Sequence, residues 1–165
     1  MPAKKLTIAY EEYDKSAELS ADEQVLVAAA TAARPNAYAP YSGFLVGAAV
    51  QTADGRTFVG SNQETANHKS SCAERVALDS ASAAGAKKQI TKIAVVGGPA
   101  TDTVAVSPAE EPLTSCGQCR QDLQEIETLT GTPLVIIFAG RSKIRRLVGV
   151  ENLLPFAFGP GERGK

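Results

Sequence analysis

Short apolar runs alternate with polar segments that contain proline and glycine along most of the chain. Three apolar stretches follow helix-start signals, and the pattern predicts helices over residues 20–33, 71–84 and 116–129. Five shorter aliphatic runs predict strands over residues 44–50, 56–60, 90–96, 133–139 and 142–148. This order predicts an α/β architecture around a mixed sheet, because connections through helices make some of the strands parallel.

The start of each predicted helix has a local signal. Ser20 begins an S-x-x-E capping box, which is typical of a helix N-terminus. Ser71 and Ser115 are the predicted N-caps of the second and third helices. Cys72 and Cys116 are therefore expected at the first helical positions.

The length of 165 residues is that of about one domain. Residues 1–19 carry mixed charge with scattered apolar positions and predict an N-terminal extension. Residues 20–160 predict the folded domain, and residues 161–165 predict a mobile tail. A long acidic loop is predicted over residues 100–112, with a short extended piece at residues 104–106.

The charge balance is nearly neutral, with 17 Lys and Arg against 18 Asp and Glu. This balance argues against a nucleic-acid partner and favours a small diffusible substrate. The longest strongly apolar run, residues 134–139, is too short to span a bilayer, and the N-terminus lacks the pattern of a signal peptide. We therefore expect no membrane partner and a cytoplasmic location.

The three cysteines, Cys72, Cys116 and Cys119, cannot all pair within one chain. In a reducing compartment, clustered cysteines are typical of metal ligands or redox groups. Three thiolates favour zinc, and three protein ligands leave a fourth tetrahedral position open for water, as in a catalytic site. Glu74, two residues after Cys72, is then a candidate to move a proton between that water and a substrate.

Four ordered motifs resemble those of the small cytidine deaminases. C-A-E-R at residues 72–75 and C-G-Q-C-R-Q at residues 116–121 resemble the C-A-E-R and P-C-G-x-C-R-Q motifs of that family. Residues 41–49 are similar to its Y-S-x-F-x-V-G-A-A, and residues 153–160 to its C-terminal L-L-P-x-x-F-G-P. The resemblance covers residues 20–160, the predicted domain.

The resemblance implies a three-layer α/β/α cytidine-deaminase-like fold with a five-stranded mixed sheet, assembled as a homo-oligomer, either a tetramer or a dimer. It implies that Cys72, Cys116 and Cys119 hold one zinc ion per chain and that Glu74 is the catalytic proton shuttle. The implied reaction is hydrolytic deamination of cytidine or deoxycytidine to uridine or deoxyuridine plus ammonia. Water adds at C4 of the base while Glu74 protonates the adjacent ring nitrogen.

The resemblance also implies contacts to the nucleoside. Phe44 would line the base pocket, and the backbone of Ala73 would meet the base. Asn62 and Glu64 match an N-x-E motif that holds the ribose hydroxyls.

Three further residues follow from the same resemblance. Ser115 stands where the family has proline, and its carbonyl would face the leaving ammonia. Phe158 would close the site of a neighbouring subunit. Arg75 would withdraw charge from the sulfurs, because zinc with three thiolates is net negative. The positions at which this sequence departs from the family pattern, such as Ser115, border the predicted substrate pocket. Two substrates therefore stay open: a cytidine-like nucleoside, or a modified nucleoside or nucleoside antibiotic such as blasticidin S.

Two hypotheses of other classes remain at this point. His68, the single histidine, could complete a closed Cys3His site in a zinc-stabilised binding module without catalysis. Cys116 and Cys119 could instead form the dithiol of a redox enzyme, which would leave Cys72 and Glu74 unexplained.

Overall fold

The computed structural model describes residues 1–100 and 108–159. Within these residues it contains three α-helices and six strands: α1 (Ala21–Ala33), α2 (Ala73–Ala83), α3 (Gly117–Thr130), β1 (Glu11–Tyr13), β2 (Phe44–Thr52), β3 (Thr57–Ser61), β4 (Ile90–Pro99), β5 (Val135–Ala139) and β6 (Ile144–Val148). The predicted extended piece at residues 104–106 and the predicted tail lie outside the described residues. No helix in the described part of the chain has the length and apolarity needed to cross a membrane.

The strands form one mixed sheet in the order β1-β6-β5-β4-β2-β3. Strands β4 and β5, which are connected through α3, run parallel, whereas the other neighbouring pairs are antiparallel. Helix α1 packs on one face of the sheet, and helices α2 and α3 pack on the other. The predicted three-layer α/β/α fold with a mixed sheet is therefore confirmed, but the sheet has six strands instead of the predicted five, because β1 adds to its edge.

Both faces of the central strand β4 are buried. Ile93 and Val95 pack toward α2 and α3, whereas Ala94 and Val96 pack toward α1. Side chains of a strand alternate between the two faces of a sheet, so a strand covered on both sides is apolar throughout. This explains why residues 93–98 of β4 form a continuous apolar run instead of an alternating one.

Helix α2 lies unusually close to the sheet at Gly60 on β3. A Cβ atom at this position would overlap the backbone N of Ala77 and lie 2.6 Å from the carbonyl O of Ala73. Any larger residue would push the helix outward. Gly60 thereby sets the position of the start of α2, which carries Cys72 and Glu74.

The helix starts differ from the prediction by one residue. The N-caps of α2 and α3 are Cys72 and Cys116, not Ser71 and Ser115. At α3 the Sγ atom of Cys116 accepts the backbone N–H of Cys119 at 3.4 Å. The sulfur thus takes the role that a serine oxygen usually has at this position.

The predicted N-terminal extension contributes the sixth strand of the sheet. Strand β1 pairs with β6, and its acidic side chains meet basic ones on and before that strand. Glu11 pairs with Arg146 at 2.7 Å, and Glu12 pairs with Arg145 at 3.0 Å. Surface ion pairs are individually weak, but these two favour the observed register. The division into extension, domain and tail stays a prediction.

Candidate active site

The starts of α2 and α3 bring the three cysteines together. Their Sγ atoms all lie within 4.8 Å of one another, and those of Cys72 and Cys116 are 3.8 Å apart. Tetrahedral zinc with bonds of about 2.3 Å to sulfur requires sulfurs separated by about 3.8 Å. The donor set and its spacing therefore fit a zinc ion held by Cys72, Cys116 and Cys119.

The sulfurs of this cluster influence one another's ionisation. Contact with the Cys119 thiol lowers the pKa of Cys72 to about 7. Contact with Cys72, together with burial, raises the pKa of Cys119. One thiolate is thus available near neutral pH, and the thiolate is the form that binds metal.

His68 is not a member of the cluster. Among the described residues, the group that can hold a metal ion consists of Cys72, Cys116 and Cys119. The imidazole of His68 instead lies beside the ring of Tyr41, with 6.4 Å between the ring centroids. Three protein ligands leave a coordination position open, so the arrangement favours a catalytic zinc site over the closed Cys3His site.

Glu74 lies in the first turn of α2, and only 4% of its surface is exposed. Because Cys72 is the N-cap, Glu74 is the second residue of the helix and is not placed as the capping-box partner of Ser71. Its side chain lines the same pocket as Cys72 and Cys116. A buried carboxylate beside an open metal position is the arrangement that general acid–base catalysis requires.

A pocket of about 320 Å³ opens next to the cysteines. Four lining residues belong to the metal site: Cys72, Ala73, Glu74 and Cys116. Three others, Phe44, Val46 and Leu113, form an apolar surface that we call the apolar wall. Asn62 and Thr114 complete the lining. The volume is at the lower end of the range for small-molecule sites.

Part of the predicted substrate set lines this pocket. Phe44, Asn62 and Ala73 are among the lining residues, whereas Glu64, Ser115 and Phe158 are not. The sequence-based prediction does not include three lining residues, Val46, Leu113 and Thr114. Val46 had a usable signal, because it lies two residues after Phe44 on β2 and so faces the same side of the strand.

Asn62 and Glu64 hold the backbone around the pocket. The side-chain amide of Asn62 accepts the N–H of Val46 at 2.8 Å and donates to the carbonyl of Phe44 at 2.9 Å. The carboxylate of Glu64 accepts the N–H of Tyr41 at 2.9 Å, and a hydrogen bond from the Ser42 side chain lowers the pKa of Glu64. Both residues therefore shape the segment that leads into β2, and the predicted contact with ribose stays a prediction.

Ser115 and Phe158 both contact helix α3 through their backbone carbonyls. Ser115 is buried, its carbonyl accepts Nε of Arg120 at 2.9 Å, and its Oγ atom has no hydrogen-bond partner. The carbonyl of Phe158 accepts Nε2 of Gln121 on α3 at 2.9 Å, and half of the Phe158 surface is exposed. The Arg120 and Gln121 side chains thereby bind two backbone segments, that of Ser115 and that of Phe158, to α3.

Arg75 points toward α3. Its Nη2 atom pairs with Oδ1 of Asp122 at 2.7 Å, and both residues line a cleft between α2 and α3. The predicted action of Arg75 on the sulfurs stays a prediction.

Comparison with known proteins identifies several similar proteins. The family model of the cytidine and deoxycytidylate deaminase zinc-binding region matches residues 19–132. The cytidine deaminase of Halalkalibacterium halodurans is 41% identical over 106 residues, which are 64% of this chain and 72% of that protein. The cytidine deaminase of Sporosarcina psychrophila is 36% identical over 138 residues, which are 83% of this chain and 91% of that protein.

A solved structure gives the same result for the fold. The crystal structure of cytidine deaminase from Burkholderia pseudomallei superposes on this chain with a TM-score of 0.68 and is 42% identical in sequence. The superposition covers 81% of this chain and 97% of that protein. The similarity confirms the cytidine-deaminase-like fold.

Proposed function

Because the chain belongs to the zinc-binding family of cytidine and deoxycytidylate deaminases, we propose that it catalyses the hydrolytic deamination of a free cytidine-like nucleoside. The products are the corresponding uridine-like nucleoside and ammonia. One observation carries this proposal: Cys72, Cys116 and the buried carboxylate of Glu74 line one end of a pocket whose other side is apolar. A flat ring with an amino group at one end fits such a pocket.

Cys72, Cys116 and Cys119 are the residues that hold zinc. When bound, the ion would supply Lewis acidity, which lowers the pKa of water toward neutrality. The helix starts contribute as well, because the N-terminal partial charge of α2 and α3 stabilises thiolates at these positions.

Glu74 moves the protons of the reaction. Its carboxylate takes a proton from the attacking water and delivers it to the ring nitrogen adjacent to C4. The resulting hydroxide adds at C4, and Glu74 then moves the proton of the new C4 hydroxyl to the amino group, which leaves as ammonia while C4 becomes a keto carbon. Burial of Glu74 beside Ala73 excludes competing water from this path.

The remaining contacts position the nucleoside. We place the base against Phe44 of the apolar wall and the backbone of Ala73, which puts its C4 end toward the cysteines. Asn62 and Glu64 then lie on the sugar side, where they hold the ribose hydroxyls. The small pocket and the near-neutral charge of the chain both favour a free nucleoside over a nucleic acid.

A second copy of the chain completes the proposal. Phe156 and Phe158 belong to the C-terminal segment, and Phe156 is 97% exposed. Exposed aromatic residues are enriched at interfaces between chains. We therefore place Phe158 over the pocket of a neighbouring subunit in a homo-oligomer.

The direct test is a substrate screen that measures ammonia release by the purified, zinc-loaded protein. The panel contains cytidine, deoxycytidine and blasticidin S. Turnover of cytidine or deoxycytidine, with about one zinc per chain, supports the proposal. Turnover of blasticidin S alone would support the proposed deamination reaction but contradict the proposed substrate. Ammonia release from none of the three would refute the proposal.

A further inference from the structure

All three residues of the apolar wall pack around one glycine, Gly97. At Gly97 on β4, a Cβ atom would overlap Cδ2 of Leu113 and lie 3.0 Å from Cε1 of Phe44 and 3.3 Å from Cγ2 of Val46. All three residues of the wall therefore converge on a position without a side chain. Leu113 and Val46 are also packed against the core between the sheet and helices α2 and α3. The missing side chain of Gly97 lets Leu113 sit back from the pocket.

The segment that carries Leu113, residues 108–114, is fixed by backbone hydrogen bonds on two sides. The N–H of Ala109 donates to the carbonyl of Gly97 at 2.8 Å. On the other side, the N–H of Arg141 donates to the carbonyl of Ala109 at 2.9 Å, and that of Ser142 donates to the carbonyl of Glu110 at 3.1 Å. Because β4 and the turn between β5 and β6 both hold this segment, Leu113 has a defined place in the wall.

Leu113 lines the same pocket as Cys116, which follows it by three residues in the chain. The reacting carbon, C4, has two ring neighbours, N3 and C5. Glu74, which comes from α2, must reach N3 to protonate it. Leu113 lines the pocket from the segment that leads into α3, not from α2, so the C5 edge of the base is the edge left for its side chain.

We propose that Leu113 determines substrate specificity by limiting the size of the group that the pyrimidine can carry at C5, and that Gly97 sets how far Leu113 projects into the pocket. This inference rests on the proposed deamination of a cytidine-like nucleoside. The wall accepts a hydrogen at C5 and rejects larger groups by steric overlap. One methylene in an apolar pocket changes kcat/KM by about 10- to 200-fold, so a single leucine suffices for such discrimination.

The experiment compares wild type, Leu113→Ala, Gly97→Ala and the double variant with cytidine, 5-methylcytidine and 5-propylcytidine, using kcat/KM from ammonia release. Leu113→Ala should reduce the penalty for 5-propylcytidine relative to cytidine by about ten-fold or more. Gly97→Ala should increase the penalty for 5-methylcytidine, because its new methyl group pushes Leu113 forward. Gly97→Ala should also lose activity on cytidine itself. The double variant should regain this activity, since the leucine side chain that overlaps the new methyl group is gone.

Leu129→Ala is the matched control, because it makes the same truncation at an exposed position near the end of α3. It should leave all three kcat/KM values unchanged. If Leu113→Ala shows the wild-type ratio between the substrates while it folds and binds zinc like wild type, the inference is wrong and the proposed function still stands. The same conclusion follows if the double variant is no more active on cytidine than Gly97→Ala.

Failure of the proposed function has a separate signature. In that case wild type releases no ammonia from cytidine or its derivatives, and calorimetric Kd values then replace kcat/KM as the readout. If the difference in Kd between cytidine and 5-propylcytidine is smaller in Leu113→Ala than in wild type, Leu113 limits the size of the C5 group even without turnover. An unchanged difference, or no binding of either nucleoside by any variant, overturns the inference.

Discussion

Arg75 on α2 donates from Nη2 to Oδ1 of Asp122 on α3, and the two atoms lie 2.7 Å apart. The pair joins the two helices three residues after Cys72 on α2 and three residues after Cys119 on α3. The Oδ2 atom of Asp122 is buried without a hydrogen-bond partner, and burial raises the pKa of this carboxyl. A partly buried anion therefore lies behind the sulfur cluster, and Arg75 is the cation that compensates it.

We expect Arg75→Ala to lower the free energy of unfolding by about 1–2 kcal/mol, because the variant leaves Asp122 without its cation. Asp122→Asn in the Arg75→Ala background should recover part of this loss, since a neutral amide costs less to bury than a carboxylate. Urea unfolding of the zinc-loaded proteins measures both effects. Equal losses in the single and double variants would show that Arg75 does not act through Asp122.

Glu74→Gln should retain the fold and the bound zinc but lose at least about 100-fold in kcat. The amide has nearly the same shape as the carboxylate but cannot carry the proton, and general acid–base catalysis contributes about 10²- to 10⁴-fold. Zinc content by mass spectrometry and ammonia release measure the two properties. Glu125→Gln, the same change at an exposed position of α3, is the control and should keep full activity. Normal turnover by Glu74→Gln would contradict the assigned role.

Ser115→Ala should raise the free energy of unfolding by about 1 kcal/mol. The hydroxyl of Ser115 is buried without a partner, and a buried unsatisfied polar group costs about 1–3 kcal/mol. The carbonyl of Ser115, which accepts Arg120, is unchanged by this substitution. Urea unfolding at neutral pH tests the expectation, and a destabilised variant would show that the hydroxyl has a partner in solution.

Asp22 should make the stability depend on pH in the acidic range. A hydrogen bond from Lys92 lowers the pKa of Asp22 to about 2, below the value of 3.8 for an isolated carboxyl. A depressed pKa in the folded state stabilises the protein above the unfolded pKa, and this stabilisation is lost as the pH falls from about 4 to about 2. The difference in unfolding free energy between wild type and Asp22→Asn should therefore shrink over this range.

Urea unfolding at several pH values measures this difference directly. Both proteins lose zinc at low pH, so that loss cancels in the comparison. Lys92→Met is the matched control, because it removes the cation while the carboxylate remains. In the Lys92→Met background, Asp22→Asn should change the pH dependence much less. The same pH dependence with and without Lys92 would exclude the pair as its source.

Much of the fold could be predicted because each element carries its own pattern. Helix α1 begins after Ser20 and ends at Ala33, as its capping box and periodicity predict. The spacing of the cysteines, with Glu74 two residues after Cys72, was sufficient to predict the metal cluster and a carboxylate beside it. These features are local, or depend on a short motif with a strict chemical requirement.

The remaining features depend on contacts between distant parts of the chain. Leu113 reaches the pocket only because residues 108–114 cross the end of β4 at Gly97, and no local pattern encodes that crossing. Capping propensity favours serine and therefore predicts the N-caps of α2 and α3 one residue before their observed positions. Here the metal cluster requires the sulfur of Cys116 at the helix start, and tertiary context outweighs propensity.

The three-residue strand β1 has a consequence for the behaviour of the protein in concentrated solution. An uncovered strand presents a row of unpaired N–H and C=O groups, on which another chain can build. Strand β1 covers β6 and becomes the end of the sheet itself, with Glu11 and Glu12 on a strand only three residues long. Such a short, acidic edge gives a second molecule little to pair with, so the N-terminal segment protects the folded protein from aggregation at this edge of the sheet, whereas β3 forms the other edge.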